Sequence, residues 1–375
     1  MPFMKFVLAP DSFKGSLSSI EVSQAMKQAI RAVLPDTEIR AIPMADGGEG
    51  TIEALAASIP HEKISFPCTG PLGEESTGWY VKTEDRAIIE GAAIAGLPLV
   101  PKDKRNPDHT TSYGIGQAIR HALDEGLRDF IIAIGGSSTN DGGLGMLQAL
   151  GIKALDGNRQ AAGIFGKDLH NVEHMDFTTI DPRMSEATIQ VACDVDNPLT
   201  GKSGASHVYG RQKGATTEQI LAYDQALSCY GKLVEEAVGH PLMDQKGAGA
   251  AGGLGFAFLA LGGILTSGAQ LVGEAVQLEE AVRHADLVIT GEGQSDDQTL
   301  YGKAPGYIAE LCHRHKKPVI LLSGSLDGDI EKLNDRFTAC FSIVPGPRTL
   351  DDCLDHAEAY VKQATTQIVR LFNHK

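Results

Sequence analysis

Apolar positions recur along this chain with two different periods. Strand-length segments rich in Val, Ile, Leu and Phe occur at 5–9, 38–42, 130–134, 188–193, 286–290, 318–322 and 339–344. Helical spacing fills the intervals. Val22, Met26, Ala29, Ile30 and Val33 fall on one face after Ser18, and Glu21 three residues further on completes a capping box. Thr216 and Gln219 open another helix, with Ile220, Tyr223, Leu227, Tyr230 and Val234 on its core stripe. Further helices are predicted over 52–57, 110–126 and 304–315, after 143 on the spacing of Leu144, Leu147 and Leu150, and over 352–372 on the stripe Leu354, Ala357, Val361, Ala364, Ile368 and Leu371. Strands alternating with helices specify an α/β fold with parallel sheets.

The alternation breaks after Cys68. Gly70-Pro71-Leu72-Gly73 is turn chemistry, and strand-like runs at 77–82 and 87–90 suggest a hairpin around Glu84-Asp85. The strand–helix pattern then resumes to the end, so the reading is two α/β domains. One is built from both termini (1–68 and 285–375) and the other is inserted between them (69–284).

Composition narrows the partners. The 375 residues are 42% apolar and 22% charged, with a net charge of −15 and no long run of like charge. That excludes an electrostatic footprint for nucleic acid or an anionic membrane and points to small-molecule partners. Six scattered cysteines without a Cys-x-x-Cys pair read as reduced thiols. With no signal-peptide pattern and no run of eighteen apolar residues, a cytoplasmic protein is expected.

Candidate chemistry lies in the loops that follow strands. Asp11, Ser12 and Lys14 project where the first strand ends, the position at which open α/β sheets hold ligands. The second strand is followed by Asp46-Gly47-Gly48-Glu49-Gly50, in which glycines permit close backbone approach and Asp46 and Glu49 could contact a metal or substrate hydroxyls. The longest such loop, Gly135-Gly136-Ser137-Ser138-Thr139-Asn140-Asp141-Gly142-Gly143, has the composition of an anion cradle at a helix start, with Asp141 as a carboxylate for a bridging magnesium ion. Asp194 to Gly204 and Gly291 to Thr299 repeat the mixture of carboxylates, glycines and hydroxyls, and Lys303 follows the second of these. Phosphoryl transfer requires that mixture, because positioning and charge neutralisation supply nearly all of its catalysis. A phosphatase, an isomerase of a phosphorylated metabolite or a binding protein could also use it.

Other motifs fail on context. Gly201-Lys202-Ser203 lacks the first glycine of a Walker loop, since position 196 is Asp. Gly247, Gly249 and Gly252 match Gly-x-Gly-x-x-Gly, but no strand precedes them, and a glycine-rich helix start packed tightly against its neighbour, or lining the cleft, is the expectation. The histidines have no metal-ligand spacing and no Gly-x-Ser-x-Gly elbow is present.

Five blocks, 10–16, 43–51, 135–143, 193–199 and 290–293, resemble in sequence and order the signature blocks of the bacterial glycerate kinases of glycolate, glucarate and galactarate breakdown. The resemblance implies a kinase dependent on ATP and Mg2+ that converts D-glycerate to 2-phosphoglycerate, with 3-phosphoglycerate as the alternative product. It also implies a Rossmann-like terminal domain and catalysis in a cleft between the domains. On that basis Asp46 or Asp194 accepts the substrate proton and Lys14 compensates phosphate charge, while Asp141, Glu292 and Asp296 are the magnesium candidates. Asp11, Ser12, Gly47, Gly48, Glu49, Gly136, Ser137, Ser138, Thr139, Asn140, Asn197, Gly291, Gly293 and Lys303 are expected to contact substrate or phosphate. One departure stands out: Gln294-Ser295 replaces the Arg and apolar residue more usual in the family, which shifts phosphate neutralisation toward Lys14 or Lys303.

Overall fold

A computed structural model describes residues 4–46, 50–300 and 302–373. The chain forms two compact units, Met1–Ile59 with Ser267–Lys375, and Pro60–Thr266. It opens with strands β1 (Lys5–Pro10) and β2 (Glu38–Ala41), which are joined by the helix Ser19–Val33. The second unit contributes β3 (Glu62–Thr69), β4 (Glu75–Lys82), β5 (Arg86–Glu90), β6 (Asp129–Ala133), β7 (Thr188–Ala192) and β8 (Ile264–Thr266). The return segment adds β9 (Leu287–Gly291), β10 (Val319–Ser323) and β11 (Ala339–Ser342).

In the terminal unit the sheet order is β11-β10-β9-β1-β2, with every pairing parallel. β1 lies against β9 in the register Leu8 to Ile289, so residues about 280 positions apart in sequence form one core with Phe6, Val22, Met26, Ile320 and Val361. The second unit has the order β8-β7-β6-β5-β4-β3, parallel from β8 to β5 and antiparallel from β5 to β3. Its larger core includes Ile132, Leu147, Tyr223, Leu227, Tyr230 and Phe256. Both capping boxes form as expected, at Ser18 and at Thr216.

Three details differ from the expectation. The units divide at 59/60 and 266/267, not at 68/69 and 284/285. Residues 62–69 form a strand that pairs with β4 along its whole length, burying Phe66 and Cys68, and the helices Gly268–Ala275 and Leu278–His284 pack in the terminal unit. The last predicted helix is two, Leu350–Asp355 and Ala357–Asn373, because His356 leaves helical geometry (φ −110°, ψ 12°). After that break the buried positions are Ala357, Val361, Thr365, Ile368 and Val369, which leaves Leu371 67% exposed. No helix among the described residues is long and apolar enough to cross a membrane.

Candidate functional site

The carboxyl ends of β1, β2 and β9 bring acidic and basic side chains together within the terminal unit. The ladder between β1 and β9 continues one step beyond Pro10, where the Asp11 N–H donates to the Gly291 carbonyl at 2.8 Å. This holds Asp11 inside the fold, 7% exposed, with Oδ1 accepting the Ser12 N–H at 2.6 Å. Lys14 Nζ reaches Asp46 Oδ2 at 3.0 Å. Burial first, and then the negative charge of Asp46, push the Asp11 carboxyl up to about 7, against the opposing pull of the Ser12 N–H and Lys14.

Glu292 lies beside this group but is already engaged. Its Oε1 accepts the hydroxyls of Thr299 (2.6 Å) and Ser295 (3.1 Å), and its Oε2 accepts Lys303 Nζ at 3.0 Å. Ser295, fully buried, also shares a hydrogen bond of 2.6 Å with Ser323 at the end of β10. One hydroxyl, that of Ser295, therefore ties the Glu292 carboxylate after β9 to the end of β10. Three glycines let the loops approach. A Cβ at Gly291 would sit 1.9 Å from the Leu322 carbonyl oxygen, one at Gly324 would sit 2.4 Å from that of Gly293, and one at Gly293 would sit 3.3 Å from the Lys14 nitrogen.

These residues border a cavity of about 430 Å³, within the range of small-ligand sites. Its charged lining is Asp11, Lys14, Asp46, Glu292 and Lys303, and its apolar lining comes from Phe13, the segment after β11, the helix Leu350–Asp355 and Ala357. Gly47, Gly48 and Glu49 lie outside the described residues.

The two other magnesium candidates do not fit that role. Asp296 opens a turn, with its Oδ1 accepting the Gln298 N–H at 2.8 Å and its own N–H donating to Thr299 Oγ1 at 2.9 Å, and it does not line the cavity. Asp141 is completely buried in the second unit. Its Oδ2 accepts the Ser112 hydroxyl (2.6 Å), the Ser112 N–H (2.9 Å) and the Gly145 N–H (3.3 Å), while Oδ1 accepts the Gly143 N–H (3.1 Å). A carboxylate so occupied is a structural anchor. Among the described residues no group of three or more His, Cys, Asp or Glu side chains is arranged to hold a metal.

The glycine-rich loop around Asp141 likewise turns its polar groups inward. Ser137 and Ser138 donate their hydroxyls to the carbonyls of Ala251 and Ala95, the Ser138 N–H donates to the same Ala95 carbonyl, and the Gly142 N–H donates to Gly252. Ser137, Ser138, Thr139 and Asn140 are all buried. The Thr139 hydroxyl and Asn140 Oδ1, by contrast, are buried without a hydrogen-bond partner among the described residues, so this loop keeps polar atoms that its own packing does not use. It also holds Lys213, which sequence reasoning missed. This side chain is 2% exposed and donates to Ser137 Oγ at 2.9 Å and to the Thr139 carbonyl at 2.5 Å, and burial lowers its ammonium to about 7. The glycines near 250 serve this packing. Gly252 has φ +74°, and a Cβ there would lie 2.0 Å from the Thr139 carbonyl oxygen. No sequence period marks Lys213, because its partners lie more than seventy residues away.

Asp194 and Asn197 belong to the second unit, on the loop after β7. Asp194 is exposed, whereas Asn197 bridges the Ser203 carbonyl (2.7 Å) and the Tyr209 hydroxyl (2.6 Å).

Comparison with known proteins agrees with the resemblance carried by the sequence blocks. The model of the glycerate kinase family matches residues 6–373. The chain is 43% identical to a glycerate kinase of Haemophilus influenzae, over 99% of this chain and 100% of the relative. It is also 43% identical to the glycerate 2-kinase of Escherichia coli, over 97% of each. A crystal structure from Salmonella typhimurium LT2 assigned to glycerate kinase 2 superposes with a TM-score of 0.89 at 42% identity, covering 99% of both chains. With a family match along nearly its whole length and close relatives that share its fold, this chain belongs to the glycerate kinase family of phosphate-transferring enzymes.

Proposed function

We propose that the chain phosphorylates D-glycerate from ATP to give 2-phosphoglycerate, with the reaction run by the group at the ends of β1, β2 and β9. The observation that carries this reading is the buried carboxyl of Asp11 beside the Lys14–Asp46 ion pair. A carboxylate titrating near neutrality is suited to receive the proton of the attacking hydroxyl, which moves Asp11 from a binding role to that of first candidate base. Lys14, oriented by Asp46, places positive charge where the transferring phosphoryl group accumulates negative charge. Lys303, fixed by Glu292, supplies a second cation on the same cavity.

Mg2+ would be held by Asp46 together with nucleotide phosphates, and it would neutralise phosphate charge while Asp11 stays available as the base. Asp46 fits such an ion, because it lines the cavity beside Asp11 and a nucleotide-bound magnesium ion needs only one or two protein carboxylates. Asp194 stays as the competing base. Similarity to a glycerate 2-kinase favours the 2-hydroxyl over the 3-hydroxyl. Six free cysteines suit work in a reducing cytoplasm.

Phosphorus NMR of protein, ATP, Mg2+ and D-glycerate tests the reading. A growing 2-phosphoglycerate signal is expected; 3-phosphoglycerate would replace the chosen hydroxyl, and no phosphoglycerate would remove the reaction. In steady-state assays Lys14→Met is expected to lower kcat about 100-fold while changing the glycerate KM only a few-fold, since its charge acts mainly in the transition state. A large rise in KM at unchanged kcat would instead make Lys14 a ground-state contact.

A further inference from the structure

The catalytic reading accounts for the charged lining of the 430 Å³ cavity but not for its apolar lining. Ile343 and Val344 follow directly after β11, and Leu350, Cys353 and Leu354 come from the short helix Leu350–Asp355. Leu350 is 72% exposed at this cavity. D-glycerate, a small polyhydroxylated anion, has no apolar surface to offer such a lining.

The two linings come from different parts of one sheet. In the order β11-β10-β9-β1-β2, the apolar residues follow β11, whereas Glu292 follows β9, Asp11 and Lys14 follow β1, and Asp46 follows β2. The ends of β11 and β9 stand about 10 Å apart, at about 4.8 Å between neighbouring strands, while the helix after β11 reaches back toward the loop after β1. A nucleoside triphosphate offers both kinds of surface, a flat, weakly polar base and a chain of phosphates. The two linings are also continuous, since a Cβ at Gly15, next to Lys14, would lie 3.9 Å from Leu354 Cδ2.

We infer that Ile343, Val344, Leu350, Cys353 and Leu354 form the subsite for the adenine base of the donor nucleotide, with its phosphates running across β10 toward Lys14 and Lys303. The inference rests on the kinase reading of the same cavity and adds the direction in which the donor lies. Leu350 and Leu354, one helical turn apart, cover one face of the base, and Ile343 and Val344 lie against the other.

Cys353 reports occupancy without requiring turnover. The purified protein is treated with limiting N-ethylmaleimide alone, or with ADP and Mg2+, inorganic tripolyphosphate or D-glycerate, and labelling of each cysteine is read by peptide mass spectrometry. ADP at about ten times its dissociation constant is expected to slow labelling of Cys353 about tenfold by mass action, with the exposed Cys229 of the other unit unchanged. Tripolyphosphate and D-glycerate are expected to change Cys353 less than about twofold, because neither carries a base. Leu350→Glu should abolish the protection by ADP and raise the ATP KM about 100-fold at unchanged glycerate KM.

Equal labelling of Cys353 with and without ADP, or protection by tripolyphosphate as strong as by ADP, overturns the subsite. So does protection by ADP that survives in Leu350→Glu. Glycerate phosphorylation with Cys353 unprotected rejects the subsite and leaves the kinase reading intact. ADP protection that is lost in Leu350→Glu, in a protein that leaves glycerate unchanged, supports the subsite and rejects the acceptor.

Discussion

Asp11→Asn is expected to lower kcat by about 10³-fold while making the folded protein more stable at alkaline pH. Both effects have one cause. Asp11 is held inside the fold beside Asp46, so its native carboxyl keeps a proton up to about 7, whereas an unfolded chain releases it near 3.8. Between those values the native state binds more protons than the unfolded state. Stability therefore falls as pH rises through the window, and the loss is complete above it. At about 1.4 kcal/mol per pH unit the loss is at most about 4 kcal/mol. Asn carries no charge at any pH and removes that slope.

Activity should move the opposite way. A base must be deprotonated, so kcat/KM of the unaltered protein should rise with pH through an apparent pKa near 7. The rise should disappear in the residual activity of Asp11→Asn. Urea midpoints at pH 5 and pH 8, together with the pH–rate profile, check both halves. Full turnover in Asp11→Asn would return the role of base to Asp46 or Asp194.

Asp141→Asn should act on folding, at a cost of about 1–3 kcal/mol. The substitution preserves shape but places an amide NH2 where the wild-type oxygens accept four hydrogen bonds, so buried donors would face one another with no water to separate them. Ser112 would be affected most, since it offers both its hydroxyl and its N–H to Asp141, and its hydroxyl in turn accepts the Met146 N–H at 3.0 Å. A lower denaturant midpoint, with the Mg2+ dependence of surviving activity unchanged, is the expected result. Native stability with a weakened Mg2+ response would make Asp141 a metal ligand after all.

Ser18 and Thr216 show what sequence reads well. A capping hydroxyl and its partner lie three residues apart, so the signal and the interaction occupy the same short window, and both boxes form. The strands of the terminal sheet are legible for a similar reason. A buried parallel strand is a nearly continuous apolar run, and β9 and β10 are buried throughout, with Thr290 and Ser323 as their polar residues. β3 was not expected although Ile64, Phe66 and Cys68 alternate with outward positions, because Pro67 interrupts the run, and pairing with β4 is what makes it a strand.

What each carboxylate does was decided by tertiary structure alone. Asp11, Asp141, Glu292 and Asp296 occupy similar glycine-rich loops, and local sequence cannot rank them. Folding saturates Asp141 with Ser112, engages Glu292 with Lys303 and two hydroxyls, turns Asp296 into a cap, and buries Asp11 next to another acid. The chain by itself thus determined the α/β alternation, the helix starts and the family blocks, all of which depend on neighbours in sequence. Burial and hydrogen-bond partnership depend on groups tens to hundreds of residues away. Those two quantities set whether a carboxylate holds a fold together or remains available for chemistry.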